Sequence, residues 1–442
     1  MPVTAPPRQT EPEQDRDLEQ RVADLEALIE EARRRARRRR QRNGAAALLV
    51  VAAGVAAFIG FGGHGGGATG KAAHDHAPGS QSPATNAGPP LAPLPTGAGF
   101  VNAFAFDPRN SQIAYVITSQ AVALQGHVFK TTDGGAHWQA TATSGRGWMG
   151  ANQALAADPR RPGTLYAGAV GGVYKTVDGG RSWRPSSRGL HTTPQDRGFG
   201  GVIALAVDPA DTNIVYAGSD HVSKSTDGGH SWKTVFPSHA THNREIVSAL
   251  AIAPTRPETI YAITAEFASG HNSRRASIYQ STDAGTTWHA TTTVPGQGGG
   301  SGFVTALAVD PRHPTTVYAA LGAYVLKTTN AGKTWKPIDG LPVIANMRRP
   351  GCHCRGGVDE LATDPHRAGT VYAALTQGGI YKTTNGGQTW IPTIHTPLGL
   401  RYTVAVDPAR PATIYAADLT ETGDGPRILR STNSGRTWKT AG

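Results

Sequence analysis

A nine-residue turn motif occurs seven times in this chain, and this repetition restricts the possible folds more than any other feature. The copies run from KTTDGGAHW at 130–138 to RSTNSGRTW at 430–438. Before each copy stands a second signal of the type ALAVDPRHPTTVYAA, as at 306–320. A repeat of about 49 residues with four short β-like segments is typical of a propeller blade. The sequence therefore predicts an all-β chain of seven four-stranded blades.

The residue types of the motif suit a tight turn between the third and fourth strands of a blade. An Asp or Asn side chain can accept backbone N–H bonds across the turn, and the glycine two positions later suits a positive φ. The Trp can cover the turn with its ring. The structural side chains at these two positions are Asp133, Trp138, Asp178, Trp183, Asp227, Trp232, Asp283, Trp288, Asn330, Trp335, Asn385, Trp390, Asn433 and Trp438.

The first strand of every repeat carries an alanine two residues before the Asp of the DP signal, or before Ala253 where the Asp is replaced. The residues on either side of this alanine are mostly large and apolar. Successive side chains of a strand point to opposite faces, so each blade presents small residues to a neighbour that presents large ones. The alanines are Ala105, Ala156, Ala206, Ala251, Ala308, Ala362 and Ala405.

The pattern S/T-x-D-x-G-x-T/S-W resembles the Asp-box, or bacterial neuraminidase repeat. That repeat occurs in sialidases, sortilin ectodomains, xyloglucanases and photosystem II assembly-factor propellers. The resemblance covers residues 99–442 and implies a single seven-bladed β-propeller with four-stranded antiparallel blades. In those families the box resembles a signature of the fold and not a catalytic element, so the resemblance implies a fold more than a function. Three copies depart from the pattern by carrying Asn330, Asn385 and Asn433.

The first hundred residues predict a membrane anchor and a tether. Residues 1–43 predict a charged cytoplasmic helical segment, whose narrow apolar stripe would allow weak self-association. Residues 44–63 are uncharged and long enough for one transmembrane helix, with the preceding arginines holding that end in the cytoplasm. A cleaved signal peptide is the alternative. Residues 64–98 predict a disordered Gly/Pro/Ala linker. The orientation of the anchor then places the propeller outside the cytoplasm.

The formal net charge of +11 indicates acidic partners, and the N-terminal arginines suit an anionic membrane surface. Nucleic acid is disfavoured by the expected placement outside the cytoplasm. No strand from one end of the chain is obviously available to complete the blade at the other end. We therefore expect the ring to be closed by packing of the first blade against the last, or by the segment before residue 99.

Loops of varied length, including 263–277, fall on the face opposite the boxes, where binding is expected. The residues five positions before each DP Asp should surround the channel mouth on that face, and arginines and Trp148 lie in its loops. Water-filled channel lining, solvated arginines and loop packing are the alternatives. The candidate ligand-binding residues are Asn102, Trp148, Asn152, Gln153, Arg244, Glu245, Arg348, Arg349, Asp359, Glu360, Arg401 and Tyr402.

Cys352, His353 and Cys354 suggest a metal, although they would need ligands from other loops for a tetrahedral shell, with His239 and His242 as the nearest candidates. A small disulfide is the alternative. We expect no cofactor.

Two functions remain open from the sequence. The first interpretation is a non-catalytic binding or assembly module that holds a protein or glycan on its loop-rich face, since the scaffold signals are intact and the Arg-Ile-Pro motif of sialidases is missing. The alternative is a sialidase- or xyloglucanase-like glycoside hydrolase, in which Asp359, Glu360 and Tyr402 would be the catalytic candidates. Such enzymes need a pair of carboxylates, and xyloglucanases resemble two facing propellers where this sequence predicts one.

Overall fold

The chain divides into two units, Met1–Thr85 and Asn86–Gly442. The computed structural model describes only residues of the second unit, namely 94–95, 98–119, 126–142, 154–190, 201–236, 244–267, 273–295, 305–321, 324–341, 357–375, 378–394, 402–418 and 426–440. The expected segments 1–43 and 44–63 and most of the linker lie outside these ranges. Within them, no helix has the length and apolar character needed to cross a membrane.

The described residues form seven sheets, and each sheet joins four strands that follow one another in the chain, all paired antiparallel. Blades 1 and 2 contain β1 (Phe100–Phe106), β2 (Ala114–Ser119), β3 (Gly126–Thr131), β4 (Gln139–Ala140), β5 (Ala154–Ala157), β6 (Leu165–Ala169), β7 (Gly172–Thr176) and β8 (Arg184–Pro185). Blades 3 and 4 contain β9 (Ala204–Val207), β10 (Val215–Gly218), β11 (Val222–Ser225), β12 (Lys233–Phe236), β13 (Arg244–Ala253), β14 (Arg256–Phe267), β15 (Ser273–Ser281) and β16 (His289–Pro295). Blades 5 to 7 contain β17 (Thr305–Val309), β18 (Val317–Leu321), β19 (Tyr324–Thr328), β20 (Lys336–Pro337), β21 (Val358–Thr363), β22 (Val371–Leu375), β23 (Gly379–Thr383), β24 (Ile391–Ile394), β25 (Tyr402–Val406), β26 (Ile414–Asp418), β27 (Ile428–Ser431) and β28 (Lys439–Thr440).

The first strand of each blade lies innermost, and these strands contact one another in chain order around a ring. The ring closes because β25 of the seventh blade contacts β1 of the first. This confirms the predicted seven-bladed propeller. The expected pairing of small and large side chains is also present: Ala306 and Ala308 of blade 5 pack against Val358 and Leu361 of blade 6.

The seven boxes make the same bonds, which explains why the motif is repeated. In blade 2, Oδ1 of Asp178 accepts bonds from the Ser182 backbone N at 3.0 Å and from Thr176 Oγ1 at 2.7 Å. The Gly180 backbone N donates to Thr176 Oγ1 at 3.0 Å, and Gly180 has a φ of 88° that favours glycine. Asn330 keeps this geometry, since its Oδ1 accepts the Thr334 backbone N at 2.9 Å. The asparagines therefore preserve the turn and remove its negative charge.

The boxes and the DP turns share one face, which we call the bottom face. In blade 2, the Gly179 backbone N donates to the Gly163 carbonyl at 2.9 Å, so the two turns of the blade touch. An equivalent bond occurs in every blade, for example from the Ser434 backbone N to the Ala412 carbonyl at 2.8 Å. The starts of the innermost strands and the remaining connections consequently lie on the opposite, top face, as the sequence predicts.

A lysine before the box links most blades to the next one, and we call this contact the lysine clasp. Lys327 of blade 5 donates from Nζ to the Gly386 carbonyl of blade 6 at 2.8 Å and lies 5.4 Å from the ring centroid of Tyr318. The same contact is made by Lys130, Lys175, Lys224 and Lys382. Blade 4 differs, because Gln280 bonds Tyr261 of its own blade at 3.0 Å.

The seam between blades 7 and 1 is closed by apolar packing that includes residues before the first strand. The ring centroids of Phe106 and Tyr415 lie 5.5 Å apart across the seam. Leu94 and Ala98, which are 1% and 4% exposed, belong to the same cluster. Leu94 and Ala98, which the sequence assigned to the linker, therefore contribute to the closing seam, because their side chains fill buried positions.

Replacing Lys327 by Met should lower the free energy of unfolding by about 1–3 kcal/mol, because the Gly386 carbonyl loses a charged donor. The measurement is urea denaturation followed by circular dichroism. Lys333→Met in the exposed box of the same blade is the control and should change stability by less than about 0.5 kcal/mol. Equal losses in both variants would contradict a stabilising clasp.

Leu94→Ala should destabilise the propeller by about 2–5 kcal/mol, because it leaves a cavity in the closing seam. Thermal unfolding of the full chain tests this against Ile391→Ala, whose side chain is 65% exposed. A midpoint shift no larger than that of the control would mean that the seam closes without this residue.

Candidate functional site

The top ends of three innermost strands contain β-bulges at the positions that the sequence assigned to the channel mouth. The strand register skips Asn102 in blade 1, Ser248 in blade 4 and Asp359 in blade 6. Each of these residues lies five positions before the DP Asp or its equivalent. A bulge redirects a side chain and interrupts pairing, and bulges are frequent beside functional sites. The three bulged residues are all polar.

The bulged residues of blades 1 and 4 are bonded within their own blades. Asn102 donates from Nδ2 to Ser119 Oγ at 2.8 Å, and Ser248 Oγ donates to the Ile263 carbonyl at 3.3 Å. These bonds hold the top of β1 and β13 against the second strand. Asn102 and Ser248 at the channel mouth therefore have a structural role. Among the three bulges, only the one in blade 6 has ionisable side chains, those of Asp359 and Glu360.

Glu360 is the most perturbed carboxyl group among the described residues. It follows the bulged Asp359, pairs with Ala374 in the ladder and accepts a hydrogen bond from Thr403 Oγ1 of blade 7 at 3.5 Å. Water reaches part of the side chain, yet protein atoms surround it closely enough for desolvation to dominate. Burial raises the pKa of Glu360 to about 8, the charge of Asp359 adds to the increase, and the bond from Thr403 opposes it. The carboxyl is thus protonated at neutral pH beside a second carboxyl group.

Thr403 is a site residue that the sequence analysis missed. It occupies in blade 7 the position that Glu360 occupies in blade 6, four residues before the DP Asp, where the other five blades have alanine. Its side chain is 5% exposed. The signal was present in the alignment of the repeats, because two adjacent blades replace a small apolar residue by a polar one at the same position.

Tyr402 lies in the protein core rather than on an open channel wall. It is 3% exposed and packs with Tyr372, Val404 and Ile414 between blades 6 and 7. The corresponding Ile203 also packs between blades, against Ile246 and Ala265. The polar ring expected at the channel mouth is therefore interrupted in blades 3 and 7, where Ile203 and Tyr402 take part in apolar packing between blades.

Blade 4 rises above its neighbours on the top face. Its first strand starts nine residues before Ala253, whereas β9 of blade 3 starts four residues before Asp208. At about 3.3 Å per residue, the five additional residues add roughly 16 Å. The interval 263–277, expected to be a loop, is mostly strand, because β14 and β15 continue their pairing to Phe267 and Ser273. Glu245 lies in this tall part, opposite Glu266.

Several expected site residues lie outside the described residues or are described only by their backbone. Arg244 starts β13, and nothing further is described of its side chain. The others fall in ranges for which no placement is described: Trp148, Asn152, Gln153, Arg348, Arg349, Arg401, Cys352, His353 and Cys354. In the part of the chain that the structure describes, no group of three His, Cys, Asp or Glu side chains could hold a metal ion.

Comparisons with known proteins agree with the fold and point to hydrolases. No family model matches the chain. A xyloglucanase from Paenibacillus sp is 25% identical over 230 residues, covering 46% of this chain and 22% of that protein. A xyloglucanase from Hypocrea jecorina (strain QM6a) is 27% identical over 342 residues, covering 67% of this chain and 38% of that protein. The chain thus spans well under half the length of these curated relatives.

Solved structures show the same fold at low identity. An ancestral GH74 enzyme aligns with a TM-score of 0.53 and 19% identity, covering 81% of this chain and 48% of that one. YCF48 bound to D1 peptide aligns with a TM-score of 0.50 and 14% identity, covering 78% of this chain and all of that one at 100%. Both likenesses agree with the propeller superfamily that the repeat indicates.

The comparisons correct the first functional interpretation. A non-catalytic binding or assembly module was expected because no complete catalytic set could be recognised in the sequence. The curated relatives are named as xyloglucanases, two of them described above and a third from Neosartorya fischeri at 26% identity. They favour the alternative, a glycoside hydrolase. The expectation failed because intact scaffold signals say nothing about chemistry on the opposite face.

Glu360→Gln should remove a pH dependence of stability. The folded pKa of Glu360 is raised to about 8 from an ordinary value of 4.5, so its contribution is fully present below pH 4.5 and is lost as the pH rises through about 8. Urea unfolding between pH 5 and 9 should therefore show a steeper loss of stability for the wild type than for Glu360→Gln. Glu258→Gln, on the exposed bottom face, should keep the wild-type slope, and parallel slopes for all three proteins would contradict the raised pKa.

Proposed function

We propose that this chain is a glycoside hydrolase that cleaves a xyloglucan-type glycan at its top face, with Glu360 as the proton donor. The observation that carries this proposal is the partly buried carboxyl of Glu360, protonated at neutral pH beside the charge of Asp359. Glycosidases with two carboxyl groups need one that is protonated and one that is ionised. The names of the curated relatives supply the substrate class.

In the proposed reaction, Glu360 donates its proton to the glycosidic oxygen as the bond from that oxygen to the anomeric carbon breaks. Asp359 supplies the second carboxylate, which stabilises the positive charge that develops on the sugar. Water adds to the anomeric carbon and returns a proton to Glu360, so that the products are two shorter glycans and the enzyme is unchanged. Thr403 is a positioning residue, because its hydroxyl holds the Glu360 carboxyl.

The position of the pair supports binding of an extended chain. Asp359 and Glu360 lie at the top end of β21, on the side of the propeller where the connections vary in length. The tall blade 4 stands on this same side and would form a wall for a bound glycan. Loops on a rigid scaffold are where substrate contacts usually occur.

The full chain should release reducing ends from soluble xyloglucan, and Glu360→Gln should lower kcat by about 10²- to 10⁴-fold, the usual contribution of a general acid. Activity of the wild type should decline as the pH rises through about 8, because the proton on Glu360 is lost. The measurement is a reducing-sugar assay with an unbranched β-glucan in parallel.

Glu258→Gln is the matched control, since it replaces an exposed carboxylate on the bottom face, and it should keep wild-type kcat. Absence of hydrolysis, or full activity in Glu360→Gln, would refute the assignment. Cleavage of the unbranched glucan alone would retain the hydrolase and change the substrate.

A further inference from the structure

A basic groove lies on the bottom face between blades 6 and 7, on the opposite side of the propeller from Glu360. Its volume is about 440 Å³, and its lining includes Asp364, His366, Arg367, Arg410 and Arg430. Arg367 and Arg410 belong to the DP turns of the two blades, and Arg430 precedes the box of blade 7. Three arginines therefore converge on one small concave surface.

Comparison with blades 2 and 3 shows that Arg367 lacks an acceptor that its equivalent has. Arg161 occupies the same place in the blade 2 turn, three residues after the DP Asp, and donates from Nη2 to Asn213 Oδ1 of blade 3 at 3.0 Å. The residue of blade 7 that corresponds to Asn213 is Ala412. Among the described residues, the Arg367 guanidinium donates no hydrogen bond. The missing amide leaves both space and a free donor.

Arg430 is also left with an unused donor. It stands where other blades carry the lysine of the clasp, and its guanidinium lies 5.6 Å from the ring centroid of Tyr415. Its Nε is buried and has no hydrogen-bond partner among the described atoms. The rest of the guanidinium lies beside Gly134 of blade 1, so Arg430 contributes positive charge to the groove and its buried Nε is not open to a ligand.

The two aspartates near the groove each use one carboxylate oxygen to hold their own DP turn. Asp364 is 1% exposed, and its Oδ1 accepts the backbone N–H groups of His366 at 2.9 Å and Arg367 at 3.2 Å. Asp407 Oδ1 does the same for Ala409 and Arg410 of the next turn, whereas its Oδ2 is buried and has no hydrogen-bond partner among the described atoms. The pKa of Lys382 is lowered, first by burial and then by the charges of Arg367 and Arg436, while the charge of Asp364 opposes the shift. Asn385 and Asn433 in the adjoining boxes add no negative charge.

We propose that this groove binds a single oxyanion, a sulfate, phosphate or carboxylate group carried by a ligand. Guanidinium groups present several N–H donors in a plane, which suits the oxygens of such groups. Arg367 supplies donors that have no acceptor among the described residues, and Arg410 and Arg430 add positive charge to the lining. The site is separate from the proposed hydrolase centre and does not depend on it.

Isothermal titration calorimetry of the full chain tests the site with inorganic sulfate, inorganic phosphate and glucuronate at constant ionic strength. We expect saturable binding of at least one of the three, and the arm that binds identifies the geometry of the group. The double variant Arg367→Ala with Arg410→Ala should weaken binding at least about tenfold, as expected when charged hydrogen bonds are lost. The matched control Arg161→Ala should bind as the wild type does.

Ala412→Asn provides a test that does not remove a charge. It restores the acceptor present in blade 3, so Arg367 should bond the new amide and binding should weaken about tenfold while the net charge stays the same. Equal affinity in Ala412→Asn and wild type, or no saturable binding of any probe, would overturn the proposal. Equal weakening in Arg161→Ala would show a general charge effect instead of a site.

Discussion

Five of the seven blades are joined to the next blade by a hydrogen bond from a lysine to a backbone carbonyl in the next blade's box. The box turns the chain through a hydroxyl and a carboxylate or amide, and the turn then offers its carbonyl to the lysine of the preceding blade. Lys175, for example, donates to the Gly228 carbonyl at 2.7 Å, and the hydroxyl of Tyr166 donates to the same carbonyl at 3.1 Å. A single short turn therefore fixes two strands within one blade and joins that blade to its neighbour.

Because every blade uses this turn, the bottom face of the propeller is constrained in sequence and structure, whereas the top face is not. The bottom face is uniform because every blade needs the same turn, and variation there is limited to changes that preserve geometry, such as Asn330 for Asp. Such changes remove one negative charge from each box of blades 5 to 7 without altering the backbone of the turn. The top ends of the strands are free of this requirement, and they contain the bulges, the tall blade 4 and the partly buried Glu360.

The repeated motif made the fold predictable from the sequence, but it gave little information about the residues of the site. Seven copies of one turn specify blade number, strand order and the face on which the boxes lie, because each follows from local turn geometry and alternation. The bulge at Asp359 does not follow, since a one-residue change in register depends on how the whole inner strand pairs with β22. The burial of Tyr402 and the pKa of Glu360 likewise depend on the neighbouring blade, which is remote in the chain. The equivalence of Thr403 and Glu360 was the part of the site that the sequence could have revealed.

Gln280 stands where five other blades carry the clasp lysine, and this replacement changes how blade 4 is joined to blade 5. Because it bonds Tyr261 inside blade 4, the boundary with blade 5 has no cationic link between the described residues, although Trp335 still donates from Nε1 to Thr291 Oγ1 across it at 3.2 Å. The seam between blades 7 and 1 also lacks a lysine clasp among the described residues, because Arg430 replaces the lysine and lies over Tyr415 of its own blade. These two boundaries therefore depend more on apolar packing than the five boundaries that keep the lysine.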